Sequence, residues 1–351
     1  MIRERVLTLA LSDLLKNHFT KTIKQRTPVN FAKVHWTELL SVINQSPIDI
    51  DPDTFFTHSW SSRFEATTQQ KAYKAIKADV VSTNAKKHLL DFVEDARHYL
   101  SIFSPETGWQ KGQGEIVRSL QALRIFRVSQ HTPGVLSLVR ANKSGIIADK
   151  ALKRALRAIE NFHFQFTAVT SSRSSGGISA MYSSFGRRLY EAPDSNAAGI
   201  LISELIDKLE ERKPSISEFM AGFEQINFLN SNTKQSALVR YILQKISTHL
   251  ELAFTEDQAM LTIEHLHPQS MIDHAWTPDI VGSIGNLILL PSKQNGYLKD
   301  DDFKTKSKTL QAFGASIPRD ILNASEWEPD QVWQRTSNLA ELSYSTIWKI
   351  G

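Results

Sequence analysis

The sequence contains no cysteine. That absence excludes disulfide scaffolds, cysteine-bound zinc and thiol nucleophiles, and it leaves His, Asp, Glu and Asn as the side chains able to hold a metal ion. It also suits a reducing compartment and points to the cytoplasm. Long hydrophobic runs are missing too. The opening stretch MIRERVLTLALSDLLKNHF places charges before a short apolar run, but Ser12, Asp13 and Lys16 interrupt it and no small-residue cleavage site follows. Neither a signal peptide nor a membrane span is expected. A marked excess of one charge is absent as well: 41 basic residues face 37 acidic ones, a net +4. Such a balance permits nucleic-acid binding without demanding it. No repeat of fixed period and no long low-complexity linker occurs.

What the sequence does have is length and helical patterning. A chain of 351 residues can bury more than one core, since domains run to roughly 100–200 residues. Up to about residue 250, apolar residues recur at three- and four-residue spacing, as in Leu89, Phe92, Val93, Ala96, Tyr99 and Leu100. This is the pattern of packed helices. SPETG, TPG, SSRSSGG and APDSN supply turns between them. The texture changes at Ala259, where β-prone MLTIEHL leads through a turn-rich segment to GNLILLP, and then to the polar, helical YLKDDDFKTKSKTLQAF. Helix returns in WEPDQVWQRTSNLAELSYSTIW. The expected architecture is mainly α: a helical body over residues 1–255, a strand, loop, strand, helix segment over 256–315, and a helical tail over 316–351.

The chemistry concentrates in TIEHLHPQS, Thr262 to Ser270. Glu264 offers a hard carboxylate and His265 an imidazole that exchanges a proton near neutral pH. Neighbours on a strand point to opposite faces, so both serve one site only at a distorted strand end, and Pro268 supplies that ending. Asn286, after Gly285, carries an amide able to fix the His265 ring and leave its other nitrogen free. Asn295 offers a carbonyl oxygen suited to magnesium.

This order of residues resembles the ββα-metal, or HNH, nuclease finger: Glu264, His265 and Pro268 match its start, Asn286 its central asparagine and Asn295 its helix asparagine. The resemblance implies that His265 activates water and that Glu264 and Asn295 hold one Mg²⁺ (or Mn²⁺), which stabilises the phosphate and the leaving oxygen. EHLHPQS, SIGNLILLP and FKTK, with Arg335 and Trp348 in the tail, further resemble the C-terminal nuclease region of GmrSD-type restriction enzymes, which destroy modified phage DNA. RALRAIENFHFQF and SALVRYILQKI are similar to that family's helical middle region. In fused relatives a ParB-like nucleotide-hydrolysing domain precedes a stretch similar to LTLALSDLLKNHF. Here that stretch starts almost at Met1, which implies that the NTPase is absent from this chain and supplied, where present, by a separate subunit.

Other residues carry two readings each. Lys306 either contacts the scissile phosphate as a catalytic group or lies on a solvated helix face beside Lys304 and Lys308. Lys150, Lys153, Arg154 and Arg157 fall on one helix face, which either tracks a DNA backbone or is simply solvated. His267 and His274 do not combine with His265 at a standard zinc spacing. SSRSSGG lacks the Gly-Lys-Ser/Thr ending of a phosphate-binding loop. Leu7, Leu11, Leu14 and Leu15 form an apolar stripe that requires covering, by the chain's own helices or by a second protein. The expected function is a metal-dependent DNA endonuclease; the alternative is a non-catalytic subunit that binds DNA or docks a partner NTPase.

Overall fold

The computed structural model describes residues 10–23, 30–172, 177–254 and 260–351. Leu7, the middle of the 171–177 loop and the boundary at Ala259 lie outside these residues. The chain is mainly helical and forms two compact units, Met1–Glu160 with Ser174–Leu209, and Asn161–Arg173 with Glu210–Gly351.

The first unit contains α1 (Leu11–Thr22), α2 (Phe31–Ile43), α3 (Pro52–Ser61), α4 (Gln69–Asp79), α5 (Ala85–Phe103), α6 (Gly114–Ile125), α7 (Thr132–Lys143), most of α8 (Asp149–His163), α9 (Ile178–Tyr190) and nearly all of α10 (Ser195–Glu211). Local chemistry starts several of these helices. Asn30 accepts from the Lys33 amide at the head of α2, and Asp51 accepts from Asp53 and Thr54 ahead of Pro52 at the head of α3. Leu11, Leu15 and Phe19 of α1 are buried, and Phe19 meets Trp36 and Phe92. In the described part of the leucine stripe, Leu11 and Leu15 are thus buried within this chain and Leu14 is half-buried.

Buried charge organises the same unit. Asp95, fully buried on α5, accepts from Arg63 Nη2 at 2.8 Å, Arg140 Nη2 at 2.9 Å and Ser59 Oγ at 2.6 Å. Burial alone would raise its pKa, but Arg140 and Arg63 overcome this and hold it down at about 2.

The second unit opens with a π-helical stretch, Phe164–Val169, and continues through α11 (Ile216–Phe223) and α12 (Ser236–His249). β1 (Leu261–His265) and β2 (Leu287–Pro291) then pair antiparallel, followed by α13 (Ser292–Leu298), α14 (Phe303–Phe313) and α15 (Pro329–Leu342). β2 is buried at every position. Its LILLP run is apolar because both faces are covered: Ile288 and Leu290 enter a core with Leu266, Trp327 and Val332, and the strand also packs on α12.

The division differs from the one expected at residues 255 and 315, for two reasons. Trp348 near the C-terminus stacks on Phe164 at 4.0 Å and donates to the Tyr241 hydroxyl at 2.7 Å, which ties the tail to the 161–173 stretch and α12. α15 meanwhile lies directly against the turn before β2. A Cβ at Gly285 would run into the Val332 carbonyl and the Thr336 hydroxyl, so only glycine permits that approach.

Candidate functional site

β1 and β2 pair with Leu261 opposite Pro291 and His265 opposite Leu287. His265 is thus the last paired residue of its strand. Pro268 follows in extended conformation and Gln269–Met271 forms a single tight turn. That turn brings Gln269 back to the histidine: its Nε2 lies 3.3 Å from His265 Nδ1, and its Oε1 accepts from the Asn230 amide at 2.8 Å. On the other side of the ring, His265 Nε2 lies 2.9 Å from the Phe228 carbonyl, and the Phe228 ring stacks beside the imidazole. Phe228 is itself fixed by its amide donating to Gly282 O at 2.8 Å.

A carbonyl only accepts, so Nε2 carries the proton and Nδ1 presents its lone pair. Burial lowers the ring's pKa to about 4, and the Lys306 charge acts in the same direction, against the Phe228 bond. The imidazole is neutral around pH 7, with a defined basic nitrogen.

Asn286 does not hold this ring, contrary to the sequence-based expectation. Its Oδ1 accepts from the His267 amide at 2.8 Å and from Trp327 Nε1 at 3.0 Å, while its Nδ2 donates to His267 O at 2.9 Å and Val281 O at 2.8 Å. All four hydrogen-bonding places of the amide are used, two on His267 in the loop after the histidine and two on Trp327 and Val281. Asn286 fixes the backbone two residues beyond His265, and the ring is oriented by Phe228 instead.

Lys306 fits neither of its expected roles. It points inward from α14 and is 2% exposed. Its ammonium donates to Glu264 Oε1 at 2.6 Å and to His265 O at 2.7 Å. Burial raises the Glu264 pKa, and Lys306 only partly opposes this. Asn295, half-buried on α13, donates through Nδ2 to Thr262 Oγ1 at 2.9 Å, and its Oδ1 has no partner among the described residues. Thr262 and Glu264 are two apart on β1 and share a face, so the Asn295 amide and the Glu264 carboxylate lie on one side of the strand.

The fit of this set to a divalent ion is poor. The single carboxylate already has an ammonium at 2.6 Å, and a second cation there would meet like charge in a buried setting. Among the described residues no group of three or more His, Asp or Glu side chains is placed to hold a metal.

The family comparison agrees with where this chemistry lies. Residues 213–342 match the GmrSD restriction endonucleases, C-terminal domain. The matched GmrSD segment lies within the second unit and contains Glu264, His265, Asn286, Asn295 and Lys306. It also contains Phe228 and Gln269, so every side chain and carbonyl described around the histidine falls inside the GmrSD-type region. This region therefore carries a restriction-endonuclease signature. No curated protein matches the chain.

Outside the GmrSD-type region, α8 presents Lys150, Arg154 and Arg157 as exposed residues and Lys153 as a half-buried one. Three of the four have partners: Lys153 and Arg157 both reach Glu115, at 3.2 and 3.4 Å, and Arg154 donates to Ser203 Oγ at 3.3 Å. Among the described residues no helix is long and apolar enough to cross a membrane.

The sequence reading missed two elements of the constellation around His265. Phe228 acts through a backbone carbonyl, which no residue type announces. Gln269 was within reach: it follows Pro268 directly, four residues after the histidine, in a segment that a proline forces to turn.

Proposed function

We propose that this chain is a DNA endonuclease of a GmrSD-like restriction system directed against foreign or modified DNA. The observation that carries the reading is the polarised His265 ring, with Nε2–H committed to the Phe228 carbonyl and Nδ1 left as an acceptor. In the proposed reaction Nδ1 takes a proton from water as the water oxygen bonds to phosphorus. The phosphorus–oxygen bond to the leaving group breaks, and the departing oxygen takes a proton from solvent. Asn286 and Phe228 hold the geometry; Lys306 neutralises Glu264 and anchors the His265 carbonyl. The HNH resemblance implies Mg²⁺ or Mn²⁺, but Glu264 and Asn295 as placed do not form its ligand set, so no step is assigned to an ion. DNA contact is proposed for the α8 face, and target choice is assigned to a separately encoded ParB-like NTPase.

The second reading, a non-catalytic DNA-binding or partner-docking subunit, draws on the same Glu264–Lys306 pair, which satisfies the acid internally. Plasmid cleavage by the purified chain separates the two, run without metal, with Mg²⁺ and with Mn²⁺, and with and without the adjacent gene product and nucleotide. His265→Ala is expected to lower cleavage by about 10²–10⁴-fold, as for loss of a general base, while DNA binding and melting temperature stay near wild type. Wild-type cleavage by the alanine variant would overturn the assignment. Absence of cleavage under every condition would favour the non-catalytic subunit.

A further inference from the structure

We propose that Gln269 is a positioning residue that holds His265 in its neutral form with Nδ1 as the acceptor. This inference rests on the reading of His265 as the base. It follows from a chain of hydrogen bonds whose two ends have fixed polarity. At one end the Asn230 backbone amide can only donate, so the Gln269 atom facing it at 2.8 Å must be the oxygen. The Gln269 NH₂ group then faces His265, and because it too can only donate, Nδ1 must accept at 3.3 Å. At the other end the Phe228 carbonyl can only accept, so Nε2 must donate at 2.9 Å.

Each link agrees with the next. Flipping the amide would set NH₂ against the Asn230 N–H and oxygen against the Nδ1 lone pair. A second proton on the ring would set Nδ1–H against the Gln269 NH₂. The arrangement therefore tolerates one tautomer and one charge state.

The weakest link lies where the chemistry needs it. The Gln269 contact with Nδ1 is the longest of the three, and Gln269 is only half-buried. A water that displaces the amide from Nδ1 finds a lone pair already oriented. Segment 228–230, upstream of the strands, thereby becomes part of the site, contributing one carbonyl and one amide.

The test uses histidine-¹⁵N-labelled full-length protein and reads the His265 ring nitrogens at neutral pH alongside kcat and KM for plasmid cleavage. The wild type should show an unprotonated Nδ1 and a protonated Nε2. Gln269→Glu keeps the shape and the Asn230 bond but turns an acceptor toward Nδ1. It should protonate Nδ1 and lower kcat by about 10²-fold, a general-base loss, with KM unchanged. Gln269→Ala removes the donor that opposes a proton on Nδ1 without inverting its polarity, so its ring should protonate at higher pH than the wild type while costing less activity than Gln269→Glu. A purely structural role predicts the reverse order, with the isosteric Glu variant milder than Ala. That order, or an unprotonated Nδ1 in Gln269→Glu, would overturn the proposal. The ring signals test Gln269 independently of cleavage, whereas full activity in His265→Ala would remove the base assignment and leave the hydrogen-bond reading standing.

Discussion

Asp95 in the first unit and Glu264 in the second are both buried carboxylates facing cations, yet their surroundings differ in kind. Asp95 receives two guanidinium groups and a serine hydroxyl, which occupy both of its oxygens and hold its pKa at about 2. Glu264 receives one ammonium on one oxygen, and burial raises its pKa despite that partner and the His265 backbone amide. A carboxylate saturated by arginines is a fixed brace between α3, α5 and α7. One paired with a single lysine, next to a histidine whose Nδ1 meets only a long amide contact, is held from fewer directions. On the proposed reading, the long contact at His265 Nδ1, not the paired acid, marks the place where a substrate atom has something to bind.

Replacing each acid by its amide should sharpen this contrast and give the largest effects on stability. Asp95→Asn strands two guanidinium groups that cannot shed their protons, so the first unit should lose about 3–5 kcal/mol, the range for breaking a buried ion pair. Glu264→Gln strands one lysine, whose ammonium keeps its bond to His265 O at 2.7 Å. Its cost should be the smaller. Denaturant titration of both variants checks the order; an equal or larger loss in Glu264→Gln would break the comparison.

The same contrast explains what the sequence could and could not reveal. Glu264, His265, Asn286 and Asn295 stand out because side-chain type and order along the chain carry the signal, and the two strands follow from β-prone runs ended by prolines. The helix rotation that buries Lys306 is not legible. Lys304, Lys306 and Lys308 look alike in sequence, and only packing against β1 selects which of them meets Glu264. The Asp95 cluster is equally silent, because Arg63, in the turn after α3, and Arg140, on α7, lie 32 and 45 residues away. The boundary between units escapes for a related reason: the chain passes from the first to the second inside α8, where the apolar period does not change.

Acid should expose a second difference, somewhat smaller in size. Burial lowers the pKa of His58 to about 4 and of His131 to about 3. The unfolded chain takes up these protons near pH 6.5. Both folded-state values are depressed, so their stabilisation is complete above pH 6.5 and is lost as pH falls toward 4, on the order of 2–3 kcal/mol for His58. Asp95 is depressed from 3.8 to about 2, so its contribution persists to lower pH and disappears only between those values, a further loss of roughly 2 kcal/mol. Melting temperatures between pH 7 and pH 2.5 should fall in two stages, beginning well above the carboxylate range. A curve flat down to pH 4 would mean that these histidines are not held neutral by burial.

The smallest expected effects concern the basic face of α8. Among the described residues Lys150 and Arg154 have no carboxylate partner, whereas Lys153 and Arg157 share Glu115 at 3.2 and 3.4 Å. If this face tracks a DNA backbone, Lys150→Ala and Arg154→Ala should each weaken binding irrespective of sequence and reduce the salt slope by about one. Lys153→Ala and Arg157→Ala should do less, because part of their charge is already answered within the protein. Glu115→Gln supplies the decisive sign. Removing that acid frees two cations at once, so DNA affinity should rise and the salt slope steepen, with no change to any group around His265. Filter binding or anisotropy over a range of salt concentrations measures both quantities. An affinity that falls or stays level in Glu115→Gln would return α8 to the solvated face that its sequence equally allows.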